Sequence, residues 1–169
     1  MIRFFLTLCC SSLLSSCAGY RIGGEKPKHL ASVNSLYVPL AKTLTLFPRS
    51  EALTTNFVVD AITRDGTYKI GTTSNSDATL LLTLEEIIYR QTTPDRRDTL
   101  RSEELTLEVK ISWQLVDPKR PGKPLEEGSN SGRTRLFVDD NLQTARANAL
   151  PDALHRAAQS IVSRIADGF

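Results

Sequence analysis

The stretch "ELTLEVKISWQLV", Glu104–Val116, decides the fold. Leu105, Leu107, Val109, Ile111, Trp113 and Leu115 occupy alternate positions, and Thr106, Glu108, Lys110, Ser112 and Gln114 lie between them. Successive strand residues point to opposite faces, so this alternation predicts a β-strand with one buried and one wet face. Such a strand belongs to a sheet covered on one side only. Trp113 shares the apolar parity and is read as core, not as a platform for a ligand.

The strand before it is expected over Asp77–Arg90, "DATLLLTLEEIIYR". Leu80, Leu82 and Leu84 alternate with Leu81, Thr83 and Glu85, and the parity becomes mixed at Ile87, Ile88 and Tyr89. A bulge near Glu85–Glu86 accounts for this, as would a second buried face. Gln91–Glu103 is polar and reads as the hairpin tip. After Val116, "DPKRPGKP" (Asp117–Pro124) predicts a turn, and another strand returns by about Arg133–Val138. Glu126–Gly132 holds too few apolar residues to assign.

Towards the N-terminus, a strand is expected at about Ser35–Leu40, with Pro39 marking its end or an edge. A loop through Phe47-Pro48 follows. Ser50 is placed as a helix cap and Glu51 in the first turn. Leu53, Phe57, Val58, Ala61 and Ile62 then share one helical face, and Asp65-Gly66 ends the helix. Tyr68–Ile70 is a short strand, which suggests a right-handed strand–helix–strand crossover. The C-terminal segment is amphipathic, with Leu142, Ala145, Ala149, Ala153, Leu154, Ala157, Ala158, Ile161, Val162 and Ile165 at helical spacing. Pro151 lies inside it, at a cost of ~3 kcal/mol in a helix interior. Either the helix starts near Asn148 or a longer helix kinks at Pro151; the second is favoured. The expected fold class is α+β, with two helices on one face of a small mixed or antiparallel sheet of about four or five strands.

The extreme N-terminus reads as a secretory signal over residues 1–16. Arg3 precedes a short apolar run, Phe4 to Leu14, and small residues follow. The run is far shorter than the ~20 residues a spanning helix needs. Leu14-Ser15-Ser16-Cys17 resembles a bacterial lipobox, which implies cleavage before Cys17 and acylation of that residue. Ala18 behind it resembles the position of lipoproteins sent on to the outer membrane. Cys9 and Cys10 would leave with the signal, so no mature thiol remains for a disulfide, a metal or a nucleophile. Residues 17–31 are rich in Gly, Pro and Lys and read as a tether, with a single domain over 32–169.

Chemistry is sparse. The chain has 21 Lys+Arg and 19 Asp+Glu, a net charge of +2, too balanced for a general nucleic-acid binder. His29 and His155 lack metal-ligand spacing, no G-x-S-x-G occurs, and Glu85 and Glu86 point to opposite faces of a regular strand. Nothing here supports an enzyme, a metal or a cofactor. Arg90, Arg96, Arg97 and Arg101 surround the hairpin, and Lys119, Arg120 and Lys123 occupy the next turn. Asp95, Asp98, Glu103 and Glu104 partly neutralise them, and composition favours plain solvated loops. The sharper reading is a site for an anionic partner, because arginine grips phosphate with a two-pronged fork.

Three stretches carry a resemblance: "CAGYRIGG" (Cys17–Gly24), "LYVPLAKTLTLFPRSEALTTNFVVDAITRDGTYKI" (Leu36–Ile70) and "RRDTLRSEELTLEVKISWQL" (Arg96–Leu115). Together with the final helix, the chain resembles the lipopolysaccharide-assembly lipoprotein family LptE. The resemblance implies a non-enzymatic, lipid-anchored outer-membrane protein facing the periplasm. Members plug and help fold the LptD β-barrel and pass lipopolysaccharide to the outer leaflet. The wet face of the central strand (Thr106, Glu108, Lys110, Ser112, Gln114) would then meet a polar barrel interior. Arg96, Arg97, Arg101, Lys119, Arg120 and Lys123 would meet lipid A phosphates. The Leu36–Ile70 unit also resembles periplasmic lipoproteins that activate an envelope enzyme or form part of a secretion channel.

Overall fold

The computed structural model describes residues 26–94, 102–137 and 141–168. Six strands form one mixed sheet: β1 (Ser35–Tyr37), β2 (Lys42–Thr43), β3 (Lys69–Ile70), β4 (Ala78–Pro94), β5 (Ser102–Asp117) and β6 (Arg120–Phe137). The strand order is β3-β1-β4-β5-β6, and β2 pairs with β4. Pairs β1–β3, β1–β4 and β2–β4 are parallel, while β4–β5 and β5–β6 are antiparallel. Helices α1 (Ser50–Asp65) and α2 (Leu142–Asp167) pack together and against one face of this sheet. The class is the expected α+β. The sheet has six strands, not four or five, because the two-residue strands β2 and β3 complete it.

Strand β5 follows its alternation. Leu105, Leu107, Val109, Ile111, Trp113 and Leu115 are all buried, and the polar set faces away from the helices. Strand β4 carries the anticipated bulge: Leu84 pairs with Ile111 but Glu86 with Lys110, leaving Glu85 as the extra residue. The bulge flips the parity, so Leu80, Leu82 and Leu84 point inward before it and Ile87 and Tyr89 pack on the core after it.

Strand β6 corrects two expectations. The turn is confined to Pro118-Lys119, and the strand runs for 18 residues where a turn to Pro124 and a late return had been expected. Pro121 and Pro124 are compatible with it because β6 is an edge strand, where a missing N–H breaks no ladder. Its inner row is polar or small because α2 lies directly on it. Asn130 Nδ2 donates to Ser160 Oγ at 2.8 Å, and its Oδ1 accepts from Trp113 Nε1 at 2.7 Å. Glu126 Oε1 lies 3.6 Å from Arg164 Nε. Gly132 lies against the backbone of Ala153 and Ala157, with no room for a Cβ.

The helix ends also differ in detail. Arg49, with φ 61, is the N-cap of α1, and Ser50 is already helical and fully buried, its hydroxyl 3.3 Å from Thr43 Oγ1. Gly66 caps the other end as anticipated, with φ 78 and its N–H on the Ile62 carbonyl. Helix α2 is one 26-residue helix from Leu142, the favoured longer alternative to a start near Asn148. Asn141 caps it, accepting from the Thr144 N–H at 3.1 Å, and Pro151 lies inside. The burial of Leu150, Ala153, Leu154, Ala157, Ala158, Ile161, Val162, Ile165 and Ala166 offsets the proline's cost. Strand β1 ends at Tyr37, three residues earlier than expected.

Residues 26–31 belong to the folded body and not to a tether. Leu30, at the end of a 3-10 turn Lys28–Leu30, is 0% exposed. Lys26 Nζ donates to the Val33 carbonyl at 2.8 Å and sits 4.8 Å above the Tyr68 ring. His29 Nε2 lies 3.1 Å from Glu126 Oε2. Tyr68 in turn donates to the Ile165 carbonyl at 2.7 Å, fixing the end of α2.

Candidate functional site

The face of the sheet opposite the helices is the place where the fold offers a surface instead of a core. Its rows follow from the register: Leu81–Gln114–Glu127, Thr83–Ser112–Ser129, Glu86–Lys110–Ser131, Ile88–Glu108–Arg133 and Arg90–Thr106–Arg135. Polar side chains bond across these rows. Gln114 Nε2 donates to Glu127 Oε2 at 3.0 Å, and Thr92 and Thr106 share a hydroxyl bond of 2.7 Å. Lys110 Nζ is 3.0 Å from Glu85 Oε2, so the bulge residue turns its carboxylate onto the open face. Glu108 receives Arg133 at 2.8 Å on one oxygen and has Arg90 at 3.8 Å from the other. Arg135 approaches Glu104 at 3.5 Å, an ion pair without a hydrogen bond.

These contacts fix the charges. The Arg133 hydrogen bond holds the Glu108 carboxyl below its ordinary range, aided by the charges of Arg133 and Arg90. The Lys110 and Ser112 hydrogen bonds do the same for Glu85, and Glu85 raises Lys110. Glu108, Glu85 and Lys110 are therefore ionised and held in pairs at neutral pH. A shallow concavity of about 450 Å³ opens beside Leu81, Thr83, Ser112, Gln114 and Glu127.

All five residues read as wet in the central strand, Thr106, Glu108, Lys110, Ser112 and Gln114, lie on this one face. Lys119, Arg120 and Lys123 lie at or beyond the β5–β6 turn, while β4 ends and β5 begins at the other end of β5. A 16-residue strand at ~3.3 Å per residue puts the ends about 50 Å apart. Arg96, Arg97 and Arg101 lie outside the described residues, as does Cys17. Arg120 is 3.5 Å from Asp117 Oδ2, and the Lys119 N–H closes the turn on Asp117 Oδ1 at 2.8 Å. Lys119 also faces Asp77, whose carboxyl is held low chiefly by the N–H groups of Asn34 and Ser35 and the Ser35 hydroxyl.

One basic group escaped the sequence reading. Arg133 and Arg135 from β6 and Arg156 from α2 line a concavity of about 640 Å³ with Thr106 and Thr134. The signal was the spacing of two arginines on one face of the strand expected from Arg133. Each is already paired, with Glu108, Glu104 and Asp152 respectively. Among the described residues, no three His, Cys, Asp or Glu side chains gather as a metal site, and no helix is long and apolar enough to cross a membrane. His155 packs edge-on against Phe57, with ring centroids 6.0 Å apart.

A family model described as LptE, lipopolysaccharide-assembly, matches residues 33–165, from the strand before α1 to the last turn of α2. The chain belongs to the LptE family. That membership makes it an envelope lipoprotein of lipopolysaccharide assembly, in a family that is not enzymatic. No curated protein matches the sequence. Several solved structures share the fold. PelC from Paraburkholderia phytofirmans, a dodecamer, matches with a TM-score of 0.54 at 11% identity, over 85% of this chain and 94% of its own. A minor lipoprotein from Acinetobacter baumannii gives 0.52 at 14% identity, over 79% and 90%. Lipoprotein B from Nitrosomonas europaea gives 0.51 at 16%, over 88% and 90%. At these identities the likeness concerns the fold alone.

Proposed function

We propose that this LptE-family protein is an outer-membrane lipoprotein, anchored through acylated Cys17 and facing the periplasm. It forms a plug and assembly complex with an LptD β-barrel and assists lipopolysaccharide transport and insertion at the outer membrane. The observation that carries the reading is the open sheet face. Glu108 with Arg133 and Arg90, Glu85 with Lys110 and Glu104 with Arg135 pair across it, which suits a polar, water-filled barrel interior. Thr106, Glu108, Lys110, Ser112 and Gln114 are its barrel-facing residues. The basic residues of the β4–β5 connection and of the β5–β6 turn act as two separate contacts for lipid A phosphates, at opposite ends of β5.

Pull-down of the full lipoprotein from its own outer membrane in mild detergent tests this. A near-stoichiometric large β-barrel among the co-purifying proteins supports the complex. Its absence, with a soluble ring of the protein itself or stimulation of an envelope enzyme, supports the activator or secretion-channel reading instead. A charge-reversal series at Arg96, Arg97 and Arg101 that leaves lipopolysaccharide binding unchanged removes the lipid contacts of that end.

A further inference from the structure

The segment between β1 and α1 turns three leucines to solvent. Over Leu40–Phe47 exposure alternates, as in a strand, with Ala41, Thr43, Thr45 and Phe47 inward and Leu40, Lys42, Leu44 and Leu46 outward. Thr43 and Thr45 turn towards the body and bond each other at 2.9 Å, with Ser50 on Thr43. Leu40, Leu44 and Leu46 face outward, 67%, 74% and 102% exposed. Half-buried strands ordinarily do the opposite. The row is held in place: Lys42 pairs beside Thr83 on the open face of the sheet, and the Leu44 N–H donates to the Leu84 carbonyl at 2.9 Å. Its margin continues into Leu81, 41% exposed. A contiguous exposed apolar patch of this kind marks a contact surface.

The occupant follows from charge and reach. Val38–Ser50 carries Lys42 and Arg49 and no acidic residue, so the leucines are interleaved with cations alone. Leucines beside cations are the composition that seats a peripheral segment in anionic headgroups. Leu44 lies at the level of Leu84, seven residues along β4 from Asp77, which binds Ser35 at the base of β1. That is about 23 Å at ~3.3 Å per residue. Lys26 is bonded at that same base, to Asn34. The nine residues from Cys17 to Lys26 can span up to ~30 Å. An anchor at Cys17 and the leucine row can therefore touch one bilayer at the same time.

We propose that Leu40, Leu44 and Leu46, with Lys42, form a second membrane contact that seats the domain on the lipid surface holding its anchor. The acyl chains retain the protein; the row sets its orientation. The inference rests on the anchored-lipoprotein reading only for the reach of the tether, and needs neither lipopolysaccharide nor a barrel.

The test is depth labelling of the full acylated lipoprotein in vesicles of phosphatidylethanolamine and phosphatidylglycerol. Cysteines introduced as Leu44→Cys or Leu46→Cys, and as Ser129→Cys for a control on the far strand of the same face, carry an environment-sensitive fluorophore. The expected result is blue-shifted emission and quenching by acyl-chain-brominated lipid at positions 44 and 46, and aqueous quenching at 129. Replacing the anionic lipid, or Lys42→Gln, lessens the shift at 46. Labels at 44 and 46 that stay open to aqueous quencher overturn the proposal. So does an equal response at 129. Labels open in vesicles but shielded in native outer membranes would assign the row to a protein partner and also overturn it. Intact mass reads acylation separately, so failure of the anchor and failure of the row are told apart.

Discussion

Gly132→Ala is the sharpest test of how this fold is assembled. A Cβ at position 132 would fall inside contact distance of the Ala153 carbonyl oxygen and the Ala157 amide nitrogen, and 3.0 Å from the Ala157 Cβ. The first two are helix backbone, so no rotamer change relieves them. Ordinary contact is restored only if α2 lifts from β6 by about 1 Å, and a gap of that size forfeits a quarter to a half of the dispersion well for each atom pair it opens. Overpacking of a fitted core costs ~1–3 kcal/mol, and a backbone clash lies at the top of that range. Against this, alanine reduces the entropy of the unfolded chain by up to ~1 kcal/mol. The net expectation is a loss of about 2 kcal/mol. Gly122→Ala, where a Cβ meets nothing within 4 Å, is the control and should leave stability unchanged or raise it by up to ~1 kcal/mol. Urea unfolding of the detergent-solubilised lipoprotein reads both variants through Trp113, the sole tryptophan, which is 1% exposed. Equal stability of the two variants would refute the close-approach argument. Ala157→Gly in the Gly132→Ala background should rescue little, because the backbone contacts remain.

Other expectations follow from single contacts. Asn130→Ala strips the partner from the buried Trp113 indole and should cost ~1–3 kcal/mol with a changed Trp113 emission; unchanged unfolding would mean another acceptor takes over. Leu30→Ala should destabilise by ~2–5 kcal/mol, as a core position does, whereas a position in a mere tether would show no effect. Glu85, Glu108, Asp77 and Asp152 are all held below their ordinary ranges in the folded state. Their contribution is present above the ordinary carboxyl values and is lost as pH falls through the folded ones, so an acid titration of stability should decline there, and less steeply in Glu108→Gln. Tyr68 behaves in the other direction. Burial, then Glu126, Asp65 and Asp167, push it up to about 12, so the folded phenol keeps its proton longer than the unfolded one. Stability should fall as pH rises from about 10 through about 12, and Tyr68→Phe should flatten that limb.

The parts of the fold that were legible are those in which apolar residues alone make the pattern. The alternation of Leu105 to Leu115 fixed a buried and an open face, and the parity change after Leu84 located the bulge, because leucine and isoleucine mark the inner side directly. Strand β6 was opaque for the converse reason. Its inner row meets α2 through Asn130, Glu126 and Gly132, by hydrogen bonding, ion pairing and close approach, and none of these leaves a hydrophobic period. The buried position of Leu30 was hidden by its Gly-, Pro- and Lys-rich neighbours, whose composition reads as linker while one leucine supplies the packing. Strand β2 was missed because it is only two residues long, Lys42 and Thr43, and neither is apolar, so a pattern search for the core finds nothing in it.

The candidate site shows the same limit in a more consequential form. Arginines and lysines near in sequence, on consecutive turns of an antiparallel sheet, are sent to opposite ends of the shared strand. The β5–β6 turn and the β4–β5 connection are separated by the whole of β5, while Arg156 of α2 joins Arg133 and Arg135 at the β6 edge. Two such ends of β5 suit contact with a long amphiphile carrying several phosphates more than with one compact ligand. Between the ends, Glu108, Glu85 and Glu86 balance Arg133, Arg90 and Lys110, so the middle of the open face offers no strong anion trap. A face whose middle is balanced in charge and whose β5–β6 turn is basic suits the transfer role proposed above more than capture. That distinguishes an assembly factor from a storage site, and it follows from strand direction and side-chain pairing alone.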